Sequence, residues 1–124
     1  MTTGAEDLGG VLADAVVARD FARIRELLHT EIDFRGMTPT RLWVADGPAG
    51  VEETFCTWLE HPEREVDRIE PTDRITIQDT ARVGWLVHGR NAQGPFTFEQ
   101  QAYVREQDGR IVWLRVMCTG PRPA

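Results

Sequence analysis

The stretch FTFEQQAYVREQDGRIVWLRVMC, residues 96–118, decides how this chain folds. Two β-rich runs flank Asp108-Gly109, a dipeptide that accepts positive φ and so marks a tight hairpin. On the first run Phe96, Phe98, Ala102 and Val104 alternate with Thr97, Glu99, Gln101, Tyr103 and Arg105. That period of two predicts one covered face and one polar face. Gln100 stands in the apolar register, where a buried amide must find hydrogen-bond partners. The second run, Ile111 to Met117, is nearly all apolar and reads as a strand buried on both faces. Arg115 interrupts it, either as a buried paired charge or as one that faces outward.

Upstream of the hairpin, Asn91 to Pro95 is rich in turn residues and Arg82 to His88 reads as strand. Val66 to Glu70 and Arg74 to Gln78 also read as strand, one long strand bent at Pro71, where a ladder bond is lost. Before residue 65 the period is helical. Leu8, Val11, Leu12, Ala15 and Val16 mark a first helix, and Asp20 caps a second whose buried stripe is Phe21, Ile24, Leu27 and Leu28. A short strand over Glu31 to Arg35 is broken by Gly36, and Arg41 to Val44 is another. Asp46-Gly47-Pro48 then opens a third helix, with Val51, Phe55, Trp58 and Leu59 on one face, stopped by Pro62. Residues 1–7 and 120–124 read as tails, the latter leaving the sheet. Helices on one side of an antiparallel sheet make an α+β domain over residues 8–119.

Composition narrows the function. The chain has 124 residues, enough for one domain with its own core. A net charge of −6 argues against nucleic acid and against an anionic membrane surface as partners. No apolar run approaches a membrane span, and the N-terminus lacks the basic and apolar regions of a signal peptide. Cys56 and Cys118 stand far apart in no metal-type spacing, which fits a reducing cytoplasm. There is no phosphate loop, no zinc signature and no basic stripe, so no metal or cofactor is expected.

The layout, with YVREQDGRIVWLRV as its hairpin, IDFRG after the second helix, GPAG at the start of the third and DGRI opening the last strand, resembles the nuclear transport factor 2-like superfamily and its SnoaL-like group. The resemblance covers residues 8–119. It implies a cone-shaped α+β barrel, with three N-terminal helices packed in a curved antiparallel sheet around an internal pocket. It also implies a homodimer through the outer face of the sheet. Members include isomerases, cyclases, dehydratases and non-catalytic binding domains, so the fold alone does not choose a reaction. Steroid isomerases of this fold carry an aspartate where this chain has Arg35-Gly36. SnoaL-type cyclases carry one at the end of the last strand, where this chain reads Met117-Cys118-Thr119.

Several residues are candidates for chemistry. His88, near a strand end, is either a general base suited to neutral pH or a structural histidine. Glu99 and Tyr103 share a strand face with Gln101; they supply a carboxylate base and a phenol donor if that face lines the pocket, and a polar dimer interface if it does not. Arg35 and Arg41 sit near the expected mouth as anion anchors or loop ties. Trp43, Trp85 and Trp113 suit a flat apolar ligand or simply fill the core. Gln100 is the expected pocket amide. Trp58 reads as core, His61 as a helix-end structural residue, and Cys118 as an inert thiol. The expected function is binding of a small apolar, polyketide-like or polycyclic molecule, with cofactor-free proton transfer as isomerase, cyclase or dehydratase. The alternative is a non-catalytic ligand-binding or dimerisation module.

Overall fold

A computed structural model describes residues 7–124. The expected N-terminal tail lies outside the described residues except for Asp7, whose Oδ1 accepts the Gly10 amide at 3.2 Å and caps α1 (Leu8–Val17). Asp20 caps α2 (Phe21–Glu26) in the same way through the Arg23 amide. Each bond satisfies a backbone donor that the first turn of a helix leaves free. α2 is shorter than its apolar spacing suggests: Leu27 ends it and Leu28 already belongs to β1 (Leu28–Thr38). β2 (Arg41–Asp46) follows, then α3 (Gly47–Leu59). Pro48 sits in the first turn of α3 as expected, but the Asp46 side chain makes no capping bond.

The rest is β: β3 (Arg64–Ile77), β4 (Thr80–Asn91), β5 (Gly94–Gln107), β6 (Arg110–Cys118) and a short β7 (Arg122–Pro123). β3 runs unbroken through Pro71, with a register shift between Pro71 and Arg74. Asp108 and Gly109 take φ of 56° and 75° at the β5–β6 turn, the paired positive values that let a two-residue turn follow the strand twist.

The sheet is ordered β2-β1-β6-β5-β4-β3. Two expectations change here. The sheet is not wholly antiparallel, because β1 pairs parallel with β6. Nor is it a closed barrel: β2 and β3 remain as edges, and the three helices fill the concave side. The core joins Leu12, Val16, Ile24, Val51, Phe55 and Leu59 of the helices to Phe34, Trp85, Val87, Phe98, Ala102 and Leu114 of the strands.

Three further corrections concern single strands. Gly36 does not break β1; an added Cβ there would lie 2.5 Å from Trp58 Cη2, so the missing side chain is what lets α3 press its indole onto the strand. β6 is not buried on both faces, since Ile111, Leu114 and Val116 are buried while Trp113 and Arg115 are half-buried and Met117 is exposed. The C-terminal residues do not leave the sheet. Gly120, at φ 75°, turns the chain so that β7 pairs with Phe96 and Thr97 of β5, beyond the point where β6 ends.

Candidate functional site

Gln100 sits midway along the inner face of β5, fully buried. Its register partner on β4 is Trp85, whose Nε1 donates to Gln100 Oε1 at 2.8 Å. An indole nitrogen can only donate, so this bond fixes which end of the amide is oxygen. Nε2 is left without a hydrogen-bond partner.

In front of Gln100 lies a cavity of about 570 Å³, within the range of sites that take drug-sized molecules. Its wall on one side is α3 and the segment after it, with Trp58, His61 and Arg64; its floor is Phe98, Gln100 and Cys118. Its rim joins the β1–β2 turn, Thr38 to Arg41, to Thr119, Gly120 and Pro121. The rim exists because the C-terminal segment doubles back: a Cβ on Gly120 would meet Pro39 at 2.8 Å.

The aromatic residues form a connected set. Trp43 crosses Trp58 edge-on at 5.8 Å between centroids, and Trp58 crosses Phe55 at 5.3 Å. Trp43 Nε1 donates to Thr38 Oγ1 at 2.9 Å, while the Arg41 guanidinium lies 3.5 Å above the Trp43 ring, a cation–π stack at the mouth. Trp58 Nε1, by contrast, is buried and unpartnered. Arg64 donates through Nη2 to the Trp58 carbonyl at 2.7 Å, which closes the C-terminal end of α3. Its Nε is buried without a partner among the described residues, and burial pushes its pKa below the usual guanidinium range.

Among the described residues no carboxylate lines the cavity. His61 does, and its Nδ1 accepts the Glu63 amide at 3.1 Å, so the neutral ring carries its proton on Nε2. The Cys118 sulfur accepts the Gly120 amide at 3.4 Å. The lining therefore offers hydrogen-bond donors far more readily than it offers a free base.

Of the residues singled out in the sequence, Arg41, Trp43 and Gln100 line this cavity. Trp85 is fully buried behind it as the partner of Gln100. The others lie elsewhere. His88 sits on the outer face of β4, where it bonds Glu70 on β3 with Arg68 alongside. Glu99 and Tyr103 lie on the outer face of β5, opposite Leu86 and Arg82. Arg35 and Trp113 lie on the outer face of β1 and β6, Trp113 between Arg105 at 4.4 Å and Arg115 at 4.6 Å. Arg115 donates to Asp33 through Nη1 at 3.2 Å, so it is an outward, paired charge. Alternation explains these placements, because odd-numbered residues of β5 cannot face the helices if Phe96, Phe98 and Gln100 do. Trp58, His61, Arg64, Phe98 and Cys118 were missed as site residues. Helix periodicity places Trp58 on the buried face, but a buried face can border a cavity as well as a core. Only a nitrogen left without a partner separates the two.

Solved structures share this architecture. A ketosteroid isomerase-like fold protein from Catenulispora acidiphila, solved in complex with trimethylamine, is 11% identical with a TM-score of 0.67, over 89% of this chain and 83% of that one. A candidate polyketide cyclase from Sinorhizobium meliloti is 19% identical at TM-score 0.64, over 90% and 94%. An NTF2-like protein of unknown function from Cytophaga hutchinsonii is 14% identical at 0.69, over 93% and 99%. At these identities the likeness defines the class, an α+β cone of the NTF2-like kind. No curated protein matches the sequence at a significant level. Residues 11–114 match the SnoaL-like domain, and the chain belongs to that family.

Proposed function

We propose that this protein binds a small, largely apolar organic molecule in the cavity in front of Gln100. The observation that carries the reading is the lining itself. The rings of Trp43, Trp58 and Phe98 stand on the wall and floor, and three buried nitrogens of the lining, of Trp58, Arg64 and Gln100, have no partner among the described residues. Leaving a polar group buried and unsatisfied costs about 1–3 kcal/mol, and a ligand oxygen at each would relieve that cost.

Binding is better supported than catalysis. An isomerase, cyclase or dehydratase working by cofactor-free proton transfer would find oxyanion donors here, but it would also need a base. Among the described residues the lining has no carboxylate, the His61 Nδ1 lone pair is occupied, and His88, Glu99 and Tyr103 are on the far side of the sheet. A polyketide-like or polycyclic ligand fits the aromatic walls and the volume. The same reading includes a homodimer through the outer face of the sheet, where Met37, Leu42, Val44 and Met117 are 47–64% exposed on neighbouring strands.

Tryptophan fluorescence tests the site, because Trp43 and Trp58 line it. Titration with a panel of flat aromatic compounds should give saturable changes in emission. Alkylating Cys118 with a bulky maleimide in a Cys56→Ser background should abolish them. If no compound gives a saturable change, or if the alkylated protein responds as before, the cavity is not the binding site.

A further inference from the structure

We infer that the ligand carries a carboxylate, and that the cavity holds this group against Arg64, Gln100 and Trp58 while the apolar body rests on the aromatic wall. The inference rests on the binding reading above and specifies the chemical class of the ligand.

The argument starts from charge. The protein as a whole is acidic, with a formal net charge of −6, yet among the described residues the cavity lining contains Arg41, His61 and Arg64 and no aspartate or glutamate. Among the described residues most arginines near a carboxylate pair with one, as Arg74 does with Asp7 and Arg90 with Glu65 and Asp67. Arg64 forms no such ion pair. It keeps one hydrogen bond to a neutral carbonyl and leaves Nε buried and free. Glu60 and Glu63 flank it in sequence, but neither lines the cavity. A half-buried guanidinium without a counter-ion is a costly arrangement in a folded chain. It becomes favourable when an anion arrives from outside.

The neutral groups point the same way. Gln100 is 0% and Trp58 4% exposed, and the unpartnered atom of each is a donor. Gln100 cannot turn its amide to offer oxygen instead, because Oε1 is held by the Trp85 indole. Three buried donors, of which one is charged, match an acceptor group with two oxygens and one negative charge. A phosphate dianion would bring a second charge, which only Arg41 at the exposed mouth, and not the buried donors, is placed to meet. A cation would meet buried donors that it cannot satisfy, and a neutral polyol would accept from them without neutralising the guanidinium.

Matched probes test this without knowledge of the natural ligand. Calorimetric titration at neutral pH would compare 2-naphthoate, 2-naphthamide and 2-naphthyl phosphate. We expect the carboxylate to bind tighter than the amide by about tenfold or more, the size of a charge-assisted hydrogen bond, and tighter than the phosphate. Gln100→Glu keeps an acceptor for Trp85 but removes the free donor and places an acidic group in its stead. It should weaken naphthoate by about tenfold or more while changing naphthamide less. Arg64→Met should do the same, and the retained thermal transition of each variant would show that it folds. Equal affinity for naphthoate and naphthamide, or a preference for the phosphate, overturns the inference and leaves the binding reading standing. Binding of none of the three overturns both.

Discussion

Gln100 and Trp85 are the pair on which the site depends. Removing the indole nitrogen leaves both ends of a fully buried amide without partners, so Trp85→Phe should destabilise the fold by about 2 kcal/mol or more, from the orphaned amide and the lost ring volume together. Urea denaturation measures this through the midpoint at constant slope. A neutral substitution would mean that the 2.8 Å bond contributes nothing. Residues on the opposite face give the contrasting expectation. His88→Ala, Glu99→Ala and Tyr103→Phe should each leave the affinity for an aromatic carboxylate unchanged within about twofold, since exposed polar contacts so far from the ligand are worth little. A large loss at any of them would move the site to the outer face.

Glu70 makes a pH-dependent contribution. The hydrogen bond to His88, and after it the one to Arg68, hold its carboxyl below the ordinary 4.5. The unfolded chain, lacking these partners, takes up the proton first as pH falls. The stabilisation is therefore complete above about 4.5 and is lost as pH drops through the lower folded value. Thermal unfolding between pH 6 and 3 should show Glu70→Gln with a shallower acid decline than the parent chain. Parallel curves would contradict the pairing. The pair lies at the solvent-exposed surface, so the difference is small.

Among the elements, β1 and α3 carry the most informative constraint. Gly36 gives up its side chain so that Trp58 can lie against the strand, and Trp58 in turn forms one wall of the cavity. Gly36→Ala should cost about 1–3 kcal/mol through overpacking and should weaken ligand binding, because relief requires the indole to move. A fluorescence titration beside a melting curve separates the two effects, and an unchanged affinity would mean that the wall adjusts without closing the cavity. β7 matters in a similar way. Its two residues continue the ladder of β5 where β6 has stopped, and this return brings Gly120 and Pro121 over the cavity rim.

At the scale of the whole molecule, the open sheet presents two unlike surfaces. The concave side is filled by helices except at the cone mouth. The convex side carries Met37, Leu42 and Met117 beside Tyr103, Trp113 and Arg115 in a shallow apolar groove. Exposed apolar area of this kind is characteristic of surfaces that meet a partner. Solution scattering should therefore give the mass of a dimer, with Leu42→Asp or Met117→Asp reducing it to that of a monomer while the fold persists. A monomeric parent chain would remove the dimer from the account. No helix among the described residues is long and apolar enough to cross a membrane.

The sequence by itself determined the elements and the polarity of β5. Alternation, the Asp-Gly turn and the Asp20 cap are local signals, and local geometry obeyed them, whereas Asp46 ahead of α3 makes no capping bond. They were also enough to put Gln100 inside and to leave open which way Glu99 and Tyr103 faced. What only the tertiary structure decided was which buried residues border empty space. Trp58 and Trp85 give the same signal in one dimension, since each is a large aromatic residue on an apolar face. One packs fully and satisfies its nitrogen on Gln100; the other stands at the cavity with its nitrogen free. The parallel pairing of β1 with β6 and the return of β7 onto β5 join segments far apart or turned back on themselves. No local period encodes such contacts, because their free energy comes from surfaces that meet only once the chain has closed.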